Sequence, residues 1–195
     1  MARTGKVHRQ TRETDVSVDW ELDGNGQGKI ATTLPFLDHM LHLFTVHGRF
    51  DLTVAARGDT EVDYHHLVED LGITMGQALE KALGDKTGIS RYGQSFVPMD
   101  ESLARAVVDL SGRPFLVFQG LAERERIRDF DLGLFQDFFK AFTDHGRITL
   151  HIHVLYGNNS HHMIEAAFKA AARALRAAVE ADPRMSGVPS TKGRL

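Results

Sequence analysis

HHLVED at residues 65–70 and HHMIEA at 161–166 each set two adjacent histidines ahead of a glutamate. On a helix, positions i and i+4 share a face while i+1 is turned by about 100°. His65 and Glu69 can therefore hold one ion, as can His161 and Glu165, whereas His66 and His162 must point elsewhere. A single such pair reads most simply as an exposed or capping helix start. The same carboxylate offset in two copies favours metal binding instead. If the two helices face each other about a pseudo-twofold axis, the simplest closure gives metal A His65, Glu69 and His162, and metal B His161, Glu165 and His66. His39 and Asp137 occupy matching positions on two shorter helical segments and are candidate fourth ligands. Imidazole and carboxylate without sulfur suit Mn2+, Fe2+, Co2+ or Zn2+.

The elements that must position these groups follow from apolar spacing. TDVSVDWEL alternates Val16, Val18, Trp20 and Leu22, and DGNGQG before KIATT predicts a hairpin. Pro35 opens a helix carrying Leu37, Met40, Leu41 and Phe44, with Gly48 expected as its left-handed cap. RFDLTVAA reads as a half-buried strand, and residues 64–83 as a long amphipathic helix. LARAVVDL, RPFLVF, LFQDFFKAFTDHG, RITLHIHVL and the last long helix repeat the plan. The order is strand, strand, helix, strand, helix, twice. HGR at 47–49 recurs at 145–147, an offset of 98 that places Phe44 on Phe142 and His39 on Asp137, while the histidine pairs align at an offset of 96, with two residues lost between, and place Glu69 on Glu165. This set indicates internal duplication, with halves at 1–93 and 94–195 in one α/β (α+β) unit. ERERIRDFD (123–131) is expected to be a charged exposed loop.

The chain has 195 residues, enough for a core without staples, as one compact domain or two small fused ones. With no cysteine, thiolate nucleophiles, disulfides and iron–sulfur clusters are excluded. The basic start MARTGKVHRQ lacks a following apolar core, and no run approaches the roughly 20 residues of a membrane span. A cytoplasmic protein is expected. A formal charge of −3 gives no general attraction to nucleic acid or anionic membrane. Of the other histidines, His47 and His145 precede glycines at helix ends, where an imidazolium can meet terminal carbonyls. His151 and His153 share a strand face, exposed or at an interface. His42 reads as packing or as a support behind a ligand, and His8 belongs to a basic, mobile terminus.

FLDHML, HHLVEDLGITMGQAL, GISRYG, MDE, LSGRPF, HHMIEAAFKAAARALR and PSTKG together resemble the imidazoleglycerol-phosphate dehydratase family of histidine biosynthesis, from about Arg9 to Leu195. The resemblance implies conversion of D-erythro-imidazole glycerol phosphate to imidazole acetol phosphate and water. It also implies two halves like the second domain of ribosomal protein S5, a shell of twenty-four subunits, two Mn2+ ions per active site, and sites shared between neighbours. Glu13 in TRET matches the family's acid/base position, with a salt bridge to Arg9 or Arg12 as the alternative. Asp100 is a second candidate. Arg91, Arg113, Lys169, Ser190 and Lys192 match the phosphate-binding positions, although Lys169 could simply pair with Glu165 one turn away. The tail at 186–195 is expected to order over a bound phosphate. Two departures stand out: Asp137 occupies a place where many relatives are expected to carry His, and Leu43 follows His42 where some carry an Asp–Gln pair.

The implied chemistry removes a hydroxyl beside the imidazole ring and a proton from the next carbon, which no carbonyl acidifies. An ionised ring can expel that hydroxyl and leave a neutral, diazafulvene-like intermediate with an acidic C–H. Loss of that proton gives an enol and then the ketone. A metal storage protein would be the main rival, but the strands before each helix pair oppose a bundle. A zinc hydrolase lacks its HExxH or HxxEH motif.

Overall fold

The computed structural model describes residues 2–121 and 125–195. In β2 (Thr14–Glu21), Val16, Val18 and Trp20 face inward while Asp15, Ser17 and Asp19 face out, the period of a half-buried strand. β1 (Thr4–Gln10) pairs antiparallel with it, so His8 lies in a strand and contacts Asp15, not in a mobile end. β3 (Gly28–Ala31) does not form the expected hairpin with β2. β4 (Asp51–Gly58) lies between them, antiparallel to β2 and parallel to β3, giving the order β1-β2-β4-β3. The glycine-rich turn serves this crossover, since Asp51 Oδ1 accepts the N–H groups of Asn25 and Gln27 at 2.8 Å.

The second half repeats this topology. β5 (Tyr92–Met99), β6 (Ser102–Asp109), β7 (Phe115–Gln119) and β10 (Thr149–Tyr156) form a sheet of order β5-β6-β10-β7. Each half's four-stranded sheet thus has one more strand than the apolar pattern reveals. β1 and β5 carry Gly5 and Gly93, where a Cβ would stand 1.9 Å from the carbonyl oxygens of Ala78 and Ala174. Those glycines let the long helices α2 (His65–Leu83) and α4 (Ser160–Val179) lie directly on their sheets. Within 123–131, Glu123 and Arg124 lie outside the described residues. The rest of that stretch is not a plain exposed loop: β8 (Arg126–Ile127) and β9 (Phe130–Asp131) pair, and Phe130 is buried against Phe36 and Phe135.

The short helices α1 (Pro35–Gly48) and α3 (Leu134–Gly146) cross between halves. α1 packs on α4, and α3 packs on α2. Gly72 and Gly76 of α2 permit the latter, because a Cβ at either would stand 2.5–2.6 Å from an α3 carbonyl oxygen. Both short helices end in a left-handed residue, but it is arginine: Arg49 at φ 54° and Arg147 at φ 50°. Gly48 has another role, since its Cβ would meet the Phe50 ring at 2.2 Å. Trp20, Phe50, Phe135, Phe139 and Phe168 form the bulk of the core among these layers.

Candidate active site

Because α1 crosses to α4, His39 reaches the second half's histidine pair. Its Nε2 lies 3.5 Å from Glu165 Oε2, and His161 Nε2 lies 3.3 Å from the same oxygen. The ligand atoms of all three fall within 4.8 Å of one another. The reciprocal crossing of α3 to α2 brings Asp137 to the first pair. His65 stands 3.4 Å from Glu69 through Nε2 and 3.4 Å from Asp137 through Nδ1. A cleft of about 520 Å3 opens on this second set, lined by Tyr64, His65, Arg126, Asp129 and Asp137. The two candidate fourth ligands therefore join the pairs that helix geometry assigns to metal B and metal A.

The turned histidines join neither set. His66 Nδ1 contacts Asp59 at 3.1 Å and Glu13 at 4.0 Å. His162 contacts Glu101 through Nδ1 at 2.8 Å and Asp100 through Nε2 at 3.9 Å. Both imidazoles are shifted toward the charged form, His66 first by its hydrogen bond to Asp59 and His162 first by that to Glu101. Conversely, the hydrogen bond from His162 holds the Glu101 carboxyl well below the usual carboxylate range. Neither Asp59 nor Glu101 is singled out by its place in the sequence, although Glu101 belongs to MDE. Asp59 follows a strand instead of lying in a helix repeat, and Glu101 is overshadowed by Asp100 beside it in MDE.

Glu165 is buried, which acts to raise its pKa, but Lys169, then His39 and His161, outweigh that and lower it. Lys169 makes the expected pairing with Glu165 one turn away, and its Nζ also lies 3.7 Å from Met99 Sδ. Of the other phosphate candidates, Arg91, Arg113, Ser190 and Lys192 together line a separate cleft of about 850 Å3 under the C-terminal tail. Arg91 is occupied there. It donates to Asp109 at 2.7 and 3.1 Å and to the Pro189 carbonyl at 2.8 Å, which ties the tail to the body. Arg113 is largely exposed, 3.7 Å from Asp109. Among the described residues no ion pair joins Glu13 to Arg9 or Arg12, since Arg9 turns instead to Asp70 at 2.9 Å.

A charged helix-cap role for His47 is disfavoured. Burial, then Lys169 and Arg173, lower its pKa and favour the neutral ring. His42 packs over Gly28 of β3. His151 is exposed on the outer face of β10, and His153 beside it meets Arg105 at 2.9 Å.

A family model described as imidazoleglycerol-phosphate dehydratase matches residues 32–175. The imidazoleglycerol-phosphate dehydratase of Geobacter metallireducens is 53% identical over 195 residues, covering 100% of both chains. That of Methylorubrum populi is 56% identical over 194 residues, with 99% of this chain and 100% of the relative covered. The crystal structure of the Staphylococcus aureus enzyme superposes with a TM-score of 0.82 at 41% identity, covering 92% of this chain and 99% of that one. A Pyrococcus furiosus structure of the same name gives 0.83 at 36% identity, with 97% and 100% covered. Two mirrored histidine–carboxylate sets, in a fold shared with these enzymes along nearly its whole length, place the chain in the imidazoleglycerol-phosphate dehydratase family.

Proposed function

We propose that the protein is a metal-dependent hydro-lyase that converts D-erythro-imidazole glycerol phosphate to imidazole acetol phosphate and water in the cytoplasmic synthesis of L-histidine. The observation that carries the metal requirement is the pair of mirrored ligand sets. Donor atoms bound to one transition-metal ion at roughly 2.1 Å lie about 3 Å apart. In the set of His39, His161 and Glu165 the 3.3 and 3.5 Å separations share one carboxylate oxygen and need only a small contraction, whereas His65 meets Glu69 through Nε2 and Asp137 through Nδ1, so one of those carboxylates must swing round the ring to share an ion. His39, His161 and Glu165 would hold one ion and His65, Glu69 and Asp137 the other. The all-nitrogen-and-oxygen donor set suits Mn2+. Bound there, a divalent ion would supply Lewis acidity at a ring nitrogen of the substrate.

The chain's own residues supply the remaining parts. Glu13 is more than half exposed, has no arginine partner among the described residues, and sits 4.0 Å from His66. It is free to carry a proton between the substrate carbon and solvent. Asp100, exposed and 3.9 Å from His162, is a second proton carrier for the departing hydroxyl. The hydroxyl leaves with a proton as water, the neighbouring carbon gives up its proton, and the resulting enol becomes the ketone. Lys169 and the tail group of Arg113, Ser190 and Lys192 line different places in one chain. Groups so placed could serve one phosphate only if two copies contribute, and the turned histidines could join a ligand set only in the same way. A homo-oligomer with shared sites, the twenty-four-subunit shell of the family, is therefore part of the proposal. Among the described residues no helix is long and apolar enough to cross a membrane.

The test is dehydration of imidazole glycerol phosphate by metal-stripped protein before and after adding Mn2+, beside a Glu69→Gln plus Glu165→Gln variant. Turnover that Mn2+ restores in the parent and not in the variant is expected. Stoichiometric Mn2+ binding without turnover would overturn the proposal and favour a storage role.

A further inference from the structure

His66 and His162 stand outside both ligand sets, yet each is gripped in the same way. His162 Nδ1 lies 2.8 Å from one oxygen of Glu101. The other oxygen accepts the Ser102 hydroxyl at 2.8 Å and the N–H groups of Asn158 and Asn159 at 3.3 and 3.0 Å, so the carboxylate is fixed from three sides. His66 Nδ1 lies 3.2 and 3.1 Å from the two oxygens of Asp59. The Asp59 backbone is itself anchored, its N–H donating to the Glu13 carbonyl at 3.0 Å. Glu101 lies in the β5–β6 turn and Asp59 just beyond β4, so neither shares an element with the histidine it holds.

An ionised carboxylate only accepts hydrogen bonds, so each contact requires the proton on Nδ1. The ring is then fixed in orientation, and Nε2 is the nitrogen left to bind a metal. Carboxylates behind ligating histidines select the tautomer and raise the ring's basicity in this way. We propose that Glu101 and Asp59 are positioning residues that lock His162 and His66 with Nε2 presented as a metal ligand, in sites completed by a second copy of the chain. The proposal rests on the metal-dependent reading above.

The experiment titrates the stripped full-length chain with Mn2+ and follows free Mn2+ by its electron paramagnetic resonance signal. Glu101→Ala is expected to weaken one class of bound Mn2+ by about 10- to 100-fold, and Asp59→Ala the other. Glu101→Gln keeps an acceptor for the Nδ1 proton and should recover most of the affinity, which also serves if the alanine variant folds poorly. In a His162→Ala background, Glu101→Ala should change affinity by less than about twofold, because a residue acting through His162 has nothing left to act on. Full additivity of the two changes, or parent-like affinity in Glu101→Ala and Asp59→Ala, would overturn the proposal alone. A parent chain that binds no Mn2+ would remove the metal reading and this one with it.

Discussion

Gly72→Ala tests whether the α2–α3 crossing sets the spacing of the His65 site. A Cβ at this position would stand 2.5 Å from the Phe138 carbonyl oxygen and 2.9 Å from Ala141 Cβ, where ordinary contact begins at 3.4 Å. The helices must therefore separate locally by up to about 0.9 Å, an overpacking that costs about 1–3 kcal/mol. In an unobstructed helix the same substitution would gain about 1 kcal/mol from helix propensity. The two effects have opposite signs, so the direction of the Tm change decides between them. A net loss of up to about 2 kcal/mol lowers the Tm of a chain this size by as much as roughly 4–8 °C, whereas propensity alone would raise it by about 2–4 °C. The site should respond too, because Phe138 is the neighbour of Asp137, and metal geometry tolerates only about 0.2 Å. Mn2+ held by His65, Glu69 and Asp137 should weaken, while the set on α1 and α4 keeps its affinity. Thermal unfolding without metal and a Mn2+ titration read both effects. A raised Tm with both classes of ion intact would refute the reasoning.

Arg91→Ala removes the guanidinium that holds Pro189, and a hydrogen bond to a charged group contributes roughly 1.5–3 kcal/mol. The tail should open about tenfold more often or better, read as faster trypsin cleavage at Lys192 and Arg194. In the parent a substrate analogue should slow that cleavage, and equal rates in parent and variant would remove the tether. His47 gives a pH dependence. Burial, then Lys169 and Arg173, depress its folded pKa below the usual 6.5, so the unfolded chain takes up the proton first as pH falls. Its contribution to stability is complete above about pH 6.5 and is lost as pH drops toward the folded value. Between about pH 7.5 and 5.5 the parent should lose more Tm than His47→Gln, and parallel curves would overturn the assignment.

The long helices and their candidate ligands are legible in the sequence because i,i+4 spacing is a local property. His65 with Glu69, and His161 with Glu165, need no tertiary information. The crossing of α1 to α4 and of α3 to α2 is not legible, although matching positions mark His39 and Asp137 as equivalents. β1 and β5 escape recognition as elements of each half because their inward positions include Gly5 and Gly93. A glycine chosen for close helix approach removes the apolar alternation by which a strand is recognised. The expected β2–β3 hairpin fails for a related reason. DGNGQG has turn chemistry, but turn chemistry alone does not determine whether β4 is inserted between the strands that it joins.

The duplicated sets are not equivalent in charge, and the difference bears on their roles. The set of His65, Glu69 and Asp137 joins two carboxylates to one imidazole, with all three side chains about half exposed. The set of His39, His161 and Glu165 has a single, buried carboxylate whose charge Lys169 already balances. A divalent ion would neutralise the first set. At the second it would leave the positive charge of the ion uncompensated beside a lysine that no longer had sole claim on Glu165. A site with that surplus attracts a dianion, and charge-assisted hydrogen bonds from an ammonium to phosphate oxygens are among the stronger polar contacts available to a protein. On the metal-dependent reading proposed above, the pairing of Lys169 with Glu165 and its candidacy for the substrate phosphate would be two states of one residue. Metal occupancy would then favour the second.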